Sequence, residues 1–146
     1  MVAGAVANFL GGKAVFHKLI DSDFALALEV EAGFPSASLD YVMQGMQTSG
    51  TEQADVYAVV GSARTLQRKR KQRKALSRDE SDKLARLARI VVLAEEALGS
   101  RAKAMRWLRS PNRGLEGVWP LRMLGSDAGA LVVERILGRI EHGVFG

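Results

Sequence analysis

Ser77-Arg78-Asp79-Glu80 has the form of a capping box, in which a serine and the glutamate three residues later satisfy the first amides of a helix reciprocally. Leu84, Leu87, Val91, Ala94 and Leu98 follow at spacings of 3, 4, 3 and 4, Ala85, Ala88 and Val92 widen the stripe, and Gly99 ends it. The spacing predicts the longest helix of the chain. From Ile90 to Ala94 that helix is apolar all round, so two of its faces require cover. One face packs on the preceding half of the chain, the other on the following half or on a second copy. No Gly/Ser-rich or Pro-rich spacer separates the halves, so a helix joins them, and the expected fold is all-α. An N-terminal helix-turn-helix bundle is followed by a small C-terminal helical domain.

The preceding half divides further. Residues 1–20 are rich in Ala, Val and Gly, with Gly4, Gly11 and Gly12 acting as breakers, and are expected to form a loose arm. The apolar start, Met1 to Leu10, has no basic flank and is too short to span a bilayer, which predicts neither a signal peptide nor a membrane segment. His17 has no Asp, Glu or Cys at ligand spacing and reads as an ordinary residue. A helix begins at Asp21 or Ser22 and ends at Gly33-Phe34-Pro35, with Phe24, Leu28 and Ala32 as its apolar repeat and Asp23, Glu29 and Glu31 on a solvated face. Ser38 is expected to cap a helix whose stripe is Leu39, Val42, Met43 and Met46, the methionines serving as core filler.

Thr51 to Val60, Gly61, and Ser62 to Lys74 read as helix, tight turn, helix. Ala54, Tyr57 and Ala58 are expected to face inward on the first, and Thr65 and Leu66 to bring the second onto it. A small helix behind a long basic one is the helix-turn-helix arrangement, whose second helix enters the major groove. The seven basic residues from Arg64 to Lys74 exceed the net charge of +5, so the rest of the chain is net negative and the basic character is local. Such a patch is the electrostatic footprint of a nucleic-acid contact. Arg64, Gln67 and Arg68 are the best candidates for base edges, because Arg pairs with guanine and Gln with adenine in bidentate fashion. Lys69, Arg70, Lys71, Arg73 and Lys74 are assigned to phosphates, since so many cations around one helix cannot all enter one groove. Ser62 and Thr65 complete the expected DNA-binding set at the helix start. Neutralising about six phosphates implies a log-log salt slope near −5 per protomer.

After Gly99, Ala104, Trp107 and Leu108 share one face of a short helix that Ser110-Pro111 stops. Asn112 to Gly125 alternates glycines with Leu115, Val118, Trp119, Leu121 and Leu124, which suits an ordered loop pinned by its own side chains. Trp107 reads as interior and Trp119 as surface. Ser126 or Asp127 caps a last helix with Ala130, Val133, Leu137 and Ile140 inward, and Gly143 stands where a left-handed C-terminal cap is wanted.

The ordered pattern A-x-x-W-L-x-x-P-N-x-x-L-x-G-x-x-P-L-x-x-L from Ala104, then G-A-x-x-V-E-x-x-L-x-R-I-E-x-G to Gly143, resembles the toxin-binding domain of the Xre/MbcA/ParS antitoxin family. S-A-R-T-L-Q-R from Ser62 likewise resembles the recognition helix of the Xre-type domains that accompany it. One departure stands out: an apolar residue usually separates Gly from Ser in that turn, and here Gly61 directly precedes Ser62. Either the turn is one residue tighter or Val60 takes the apolar role.

After the arm of residues 1–20, the resemblance implies a DNA-binding domain (21–86) and a toxin-binding domain (87–146). It implies a cytoplasmic homodimeric antitoxin that neutralises a RES-domain toxin attacking NAD, and that represses its own operon at operator DNA. The toxin contacts it implies fall on Asn112, Leu115, Trp119, Pro120 and Leu121 of the loop, and on Glu134, Arg139, Glu141, His142, Gly143, Val144, Phe145 and Gly146 at the end. A tail ending in a glycine carboxylate can enter a cleft.

No cysteine is present, which removes disulfides, thiolate ligands and cysteine nucleophiles together. No nucleophile–base set, carboxylate pair or phosphate-cradling glycine loop is visible, so neither catalysis, a small-molecule substrate, a metal nor a cofactor is expected. The alternative function is a stand-alone helix-turn-helix regulator whose C-terminal half dimerises or senses.

Overall fold

The computed structural model describes residues 2–48, 50 and 52–143. Among these the fold is all-helical. It divides into two compact units, Met1–Arg89 and Ile90–Gly146, and the division falls inside the long helix that links them.

The first unit comprises α1 (Val2–Phe9), α2 (Gly12–Phe16), α3 (Asp23–Ala32), α4 (Ala37–Gly45), α5 (Gln53–Val60), α6 (Ala63–Gln72) and the start of α7 (Arg78–Leu98). The expected loose arm is instead part of the core. Ala3, Val6, Ala7, Phe9 and Leu10 are buried along α1, and Val15 and Phe16 along α2. Gly4 lies within α1, while Gly11 and Gly12, both at positive φ, form the corner between two short helices rather than preventing them. A Cβ on Gly11 would sit 2.2 Å from Val15 Cγ2. Phe16 meets Phe34 edge to face at 5.3 Å.

Ser22 is the cap of α3, its Oγ accepting the Ala25 amide at 3.0 Å. The stripe expected to face inward does the reverse: Phe24 is 73% exposed and Leu28 53%, and no residue of α3 is fully buried. Gly33-Phe34 does more than stop this helix. The Phe34 amide donates to Ser81 Oγ, the Leu76 amide donates to the Phe34 carbonyl at 2.8 Å, and a Cβ on Gly33 would lie 2.4 Å from the Leu76 carbonyl oxygen. Ser38 is likewise not a cap; its hydroxyl donates to the Leu10 carbonyl at 2.7 Å, pinning α4 to the end of α1. Leu39, Val42, Met43 and Met46 are buried as their spacing requires.

In α5 the inward residues are Val56, Tyr57, Val59 and Val60, and the expected Ala54 and Ala58 face out. Three valines bury more apolar area than two alanines, and that sets the rotation of the helix. Thr51, expected to start this helix, lies outside the described residues. Gly61 is extended, and Ser62 caps α6, its Oγ accepting the Thr65 amide at 3.4 Å.

At the start of α7 the capping box forms in both directions: the Glu80 amide donates to Ser77 Oγ at 3.0 Å and the Ser77 amide donates to Glu80 Oε1 at 2.8 Å. Leu84, Leu87, Ala88, Ile90, Val91, Val92 and Ala94 are buried, which is the all-round burial that the apolar segment demands. Gly99, at φ 95°, follows its last turn.

The second unit adds α8 (Arg101–Leu108), two 3₁₀ turns (Arg113–Leu115 and Pro120–Met123) and α9 (Asp127–Glu141). Ser100 caps α8 and Ser126 caps α9. Ala104, Met105 and Leu108 fill the inner face of α8, with Trp107 half-buried beside them. Asn112 holds the loop together. Its Oδ1 accepts the Gly114 amide, its carbonyl accepts the amides of Leu115 and Gly117, and its own amide donates to the Val118 carbonyl. Leu115, Pro120, Leu121 and Leu124 of the loop are buried, as are Ala130, Val133, Ile136 and Leu137 of α9, and the second 3₁₀ turn packs on α8 and α9. Gly143 adopts φ 74°, the left-handed cap.

Candidate functional site

On α6, Arg64, Gln67, Arg68 and Lys71 are exposed, and their spacing of three and four residues places them on one face. Leu66, fully buried, anchors the opposite face. Thr65 is half-buried and Ser62 is at the exposed start. Arg73 and Lys74 are exposed just beyond the helix, where Arg73 at φ 55° turns the chain. A shallow groove lined by Gln53, Ala54, Tyr57 and Ala58 of α5 and by Ala63 and Gln67 of α6 runs beside this face. Long polar and cationic side chains on one exposed face can follow a phosphate backbone and reach base edges.

Lys69 and Arg70, expected among the phosphate contacts, are turned into the unit. Lys69 Nζ lies 2.6 Å from Glu80 Oε1, with both side chains more than four-fifths buried. Burial alone pushes the Glu80 carboxyl up; the hydrogen bonds from Lys69 and Ser77 and the lysine charge outweigh it and hold the group below its ordinary value. Arg70 Nε donates to Asp40 Oδ1 at 2.6 Å and its Nη1 to the Tyr57 hydroxyl at 2.6 Å. Burial lowers the Arg70 pKa, and these two partners more than compensate, so it is raised overall. The two residues fix α6 against α4, α5 and α7. Sequence alone shows only a run of cations; which of them point inward depends on helix phase and on acids distant in the chain.

In the second unit, Leu115, Pro120 and Leu121, expected at a binding surface, are buried and belong to the core. Asn112 is committed to its own loop. Trp119 is half-buried under the guanidinium of Arg122, which lies 4.8 Å from the ring centroid. Glu134 is half-buried, and Arg139, Glu141, His142 and Gly143 are exposed. Val144, Phe145 and Gly146 lie outside the described residues.

Leu131 and Val132 are further surface residues that sequence reading missed, 46% and 39% exposed on α9, with Arg135 and Arg139 one and two turns on. Val118, at the end of the Asn112 loop, is exposed as well. The signal was present in the sequence. Ala130 to Val133 is apolar at four successive positions, more than one buried stripe can absorb, so part of it must face out.

Among the described residues no group of three or more His, Cys, Asp or Glu stands close enough to hold a metal ion, and no helix is long and apolar enough to cross a membrane.

Residues 25–89 match the antitoxin Xre-like helix-turn-helix domain, and residues 93–143 match the antitoxin Xre/MbcA/ParS C-terminal toxin-binding domain. Curated relatives named Antitoxin Xre include those of Photorhabdus laumondii, 34% identical over 77% of this chain and 75% of the relative, and Pseudomonas putida, 31% identical over 84% and 74%. A third, from Yersinia enterocolitica, is 29% identical over 82% of this chain and 90% of the relative. The basic face of α6 therefore sits in the helix-turn-helix match and the apolar and basic strip of α9 in the toxin-binding match, and the chain belongs to the Xre antitoxin family.

Proposed function

We propose that this antitoxin neutralises a RES-domain toxin that degrades NAD, by covering the toxin's active site, and that it represses its own operon as a homodimer on operator DNA in the cytoplasm. Neutralisation is occlusion and needs no chemistry from this chain.

The observation that carries the neutralising arm is the exposed Leu131–Val132 pair followed by Arg135 and Arg139, within the segment that matches a toxin-binding domain. Two aliphatic side chains held in water on a rigid helix, bordered by cations, form an interface core with a polar rim. Arg139, Glu141, His142 and Gly143 are exposed at the end of the same helix. The DNA arm rests on Arg64, Gln67, Arg68 and Lys71, which share one face of a helix whose inner face is locked by Leu66, Lys69 and Arg70.

The deciding experiment follows NAD loss by a purified RES-domain toxin, with and without an equal concentration of the purified chain. Survival of NAD together with co-elution supports neutralisation. Unchanged NAD loss with no complex leaves a DNA-binding regulator whose C-terminal unit dimerises or senses.

A further inference from the structure

We propose that Asp40 restrains DNA binding by holding Arg70 off the phosphates, and so limits the electrostatic affinity of this chain for DNA of any sequence; this rests on the reading that the exposed face of α6 meets DNA. Arg70 follows Ala63 by seven residues and Gln67 by three, so the three share one edge of the helix. Its backbone is about 4.5 Å along the axis from that of Gln67, a candidate for reading bases. That edge borders the groove that Gln67 and Tyr57 line, and the Tyr57 hydroxyl accepts a hydrogen bond from Arg70 Nη1 at 2.6 Å.

Acids hold two of the cations of α6, and the two pairs differ in how far water reaches them. The side chains of Lys69 and Glu80 are 17% and 13% exposed, and the same carboxylate oxygen accepts the Ser77 amide, which locks that pair into the unit. Arg70 and Asp40 are 25% and 50% exposed. Arg70 Nε and Nη2 both reach Asp40 Oδ1. An ion pair so open to solvent is weak, and a phosphate is a strong competitor for the same donors. Without the Asp40 charge, Nε and Nη2 are left for phosphate while Nη1 stays on Tyr57. Arg70 then keeps its place and changes its partner.

The consequence is selectivity. Phosphates carry sequence-independent binding, and base edges carry sequence. Seven basic residues between Arg64 and Lys74 favour binding to any duplex. An acid that withdraws one of them lowers that general affinity and leaves Arg64, Gln67 and Arg68 in place, so the base contacts make up a larger share of the total.

The test measures binding of the full chain to a random-sequence duplex of roughly 30 bp, which spans about three helical turns. Fluorescence anisotropy follows wild type, Asp40→Ala, Asp40→Asn, Arg70→Gln and the Asp40→Ala/Arg70→Gln double variant between about 50 and 300 mM salt. Asp40 is half-exposed on a helix, so alanine there keeps the fold, which circular dichroism verifies, and asparagine removes the charge with the shape retained. Both Asp40 variants should bind about eightfold tighter at 0.1 M salt, with a log-log slope steeper by about 0.9, the signature of one more neutralised phosphate. Arg70→Gln alone should keep the wild-type slope, and the double variant should return to it. Weaker binding by the Asp40 variants with no steeper slope would show a merely structural role and overturn the proposal. A gain that survives in the double variant would overturn it too, because the lost carboxylate charge and not Arg70 would then be its source. A wild type that fails to bind the duplex even at low salt removes the DNA reading and the proposal together, whereas a wild type that binds, with Asp40 variants of unchanged slope, removes the proposal alone.

Discussion

Lys69 and Glu80, eleven residues apart, meet at 2.6 Å between α6 and α7, and the same carboxylate oxygen accepts the Ser77 amide. One glutamate therefore completes a capping box and holds α6 in place. Removing its charge should cost about 1.5–3 kcal/mol, the range of a charge-assisted hydrogen bond. Because the folded carboxyl lies below its ordinary value of 4.5, this contribution is fully present above that value and is lost as pH falls through the lower folded value. Urea titrations at pH 7 and near pH 3 should show Glu80→Gln less stable than wild type at neutral pH, with the gap closing in acid. A gap independent of pH would refute the assignment.

The cations of α6 separate into two groups with different salt signatures. Arg64 and Arg68 are assigned to bases, and Lys71, Arg73 and Lys74 are exposed for phosphates, so operator binding should follow a log-log salt slope of about −2.7 per protomer. Lys71→Gln should reduce that slope by about 0.9, while Lys69→Gln should leave it unchanged and lower stability instead. Titrations by fluorescence anisotropy between about 50 and 300 mM salt measure both; equal slope losses would mean that Lys69 reaches phosphate.

Arg64 and Arg68 should behave differently from the phosphate contacts. Replacing either with Ala is expected to cost about 1–3 kcal/mol on the operator and to relax preference at one base position, with little change on random DNA. Binding to a panel of single-base operator variants distinguishes this from a uniform loss.

Gly129 leaves no room for a side chain. A Cβ there would lie 1.9 Å from the Met123 carbonyl oxygen, which is backbone and cannot swing aside. Gly129→Ala should therefore destabilise the second unit by about 3 kcal/mol or more and lower its midpoint in thermal unfolding. A wild-type midpoint would show that the turn before α9 yields.

Core and contact residues of the second unit should separate in a toxin-binding assay. Leu121→Ala, at 1% exposure, is expected to cost about 2–5 kcal/mol of stability. Leu131→Asp should leave unfolding within about 0.5 kcal/mol of wild type and weaken toxin capture at least tenfold. Deleting Val144 to Gly146 should likewise weaken neutralisation more than folding. Unaltered inhibition by both variants would move the interface elsewhere.

Much of the architecture was legible because it is local. Capping by Ser22, Ser62, Ser77 and Ser126 needs only a hydroxyl and amides three residues on, and the left-handed Gly143 needs only the end of a helix. The stripe of α7 follows from a period of 3.6 with nothing else in view. Family membership was legible for a related reason: the Pro-Asn and Pro-Leu turns and the Gly-Ala step stand in an order that few folds would use.

Tertiary structure decided the rest, because sequence states which residues can be buried and not which neighbour arrives to bury them. Periodicity pointed Phe24 and Leu28 inward, and no element of the first unit fully covers them. Glycines suggested a loose arm in residues 1–20, but Phe9, Leu10 and Phe16 find Gly45, Ser38 and Phe34 from elsewhere in the chain. The seven cations from Arg64 to Lys74 look alike in one dimension. Only the approach of Glu80, Asp40 and Tyr57 separates Lys69 and Arg70, which hold α6, from the five left facing water.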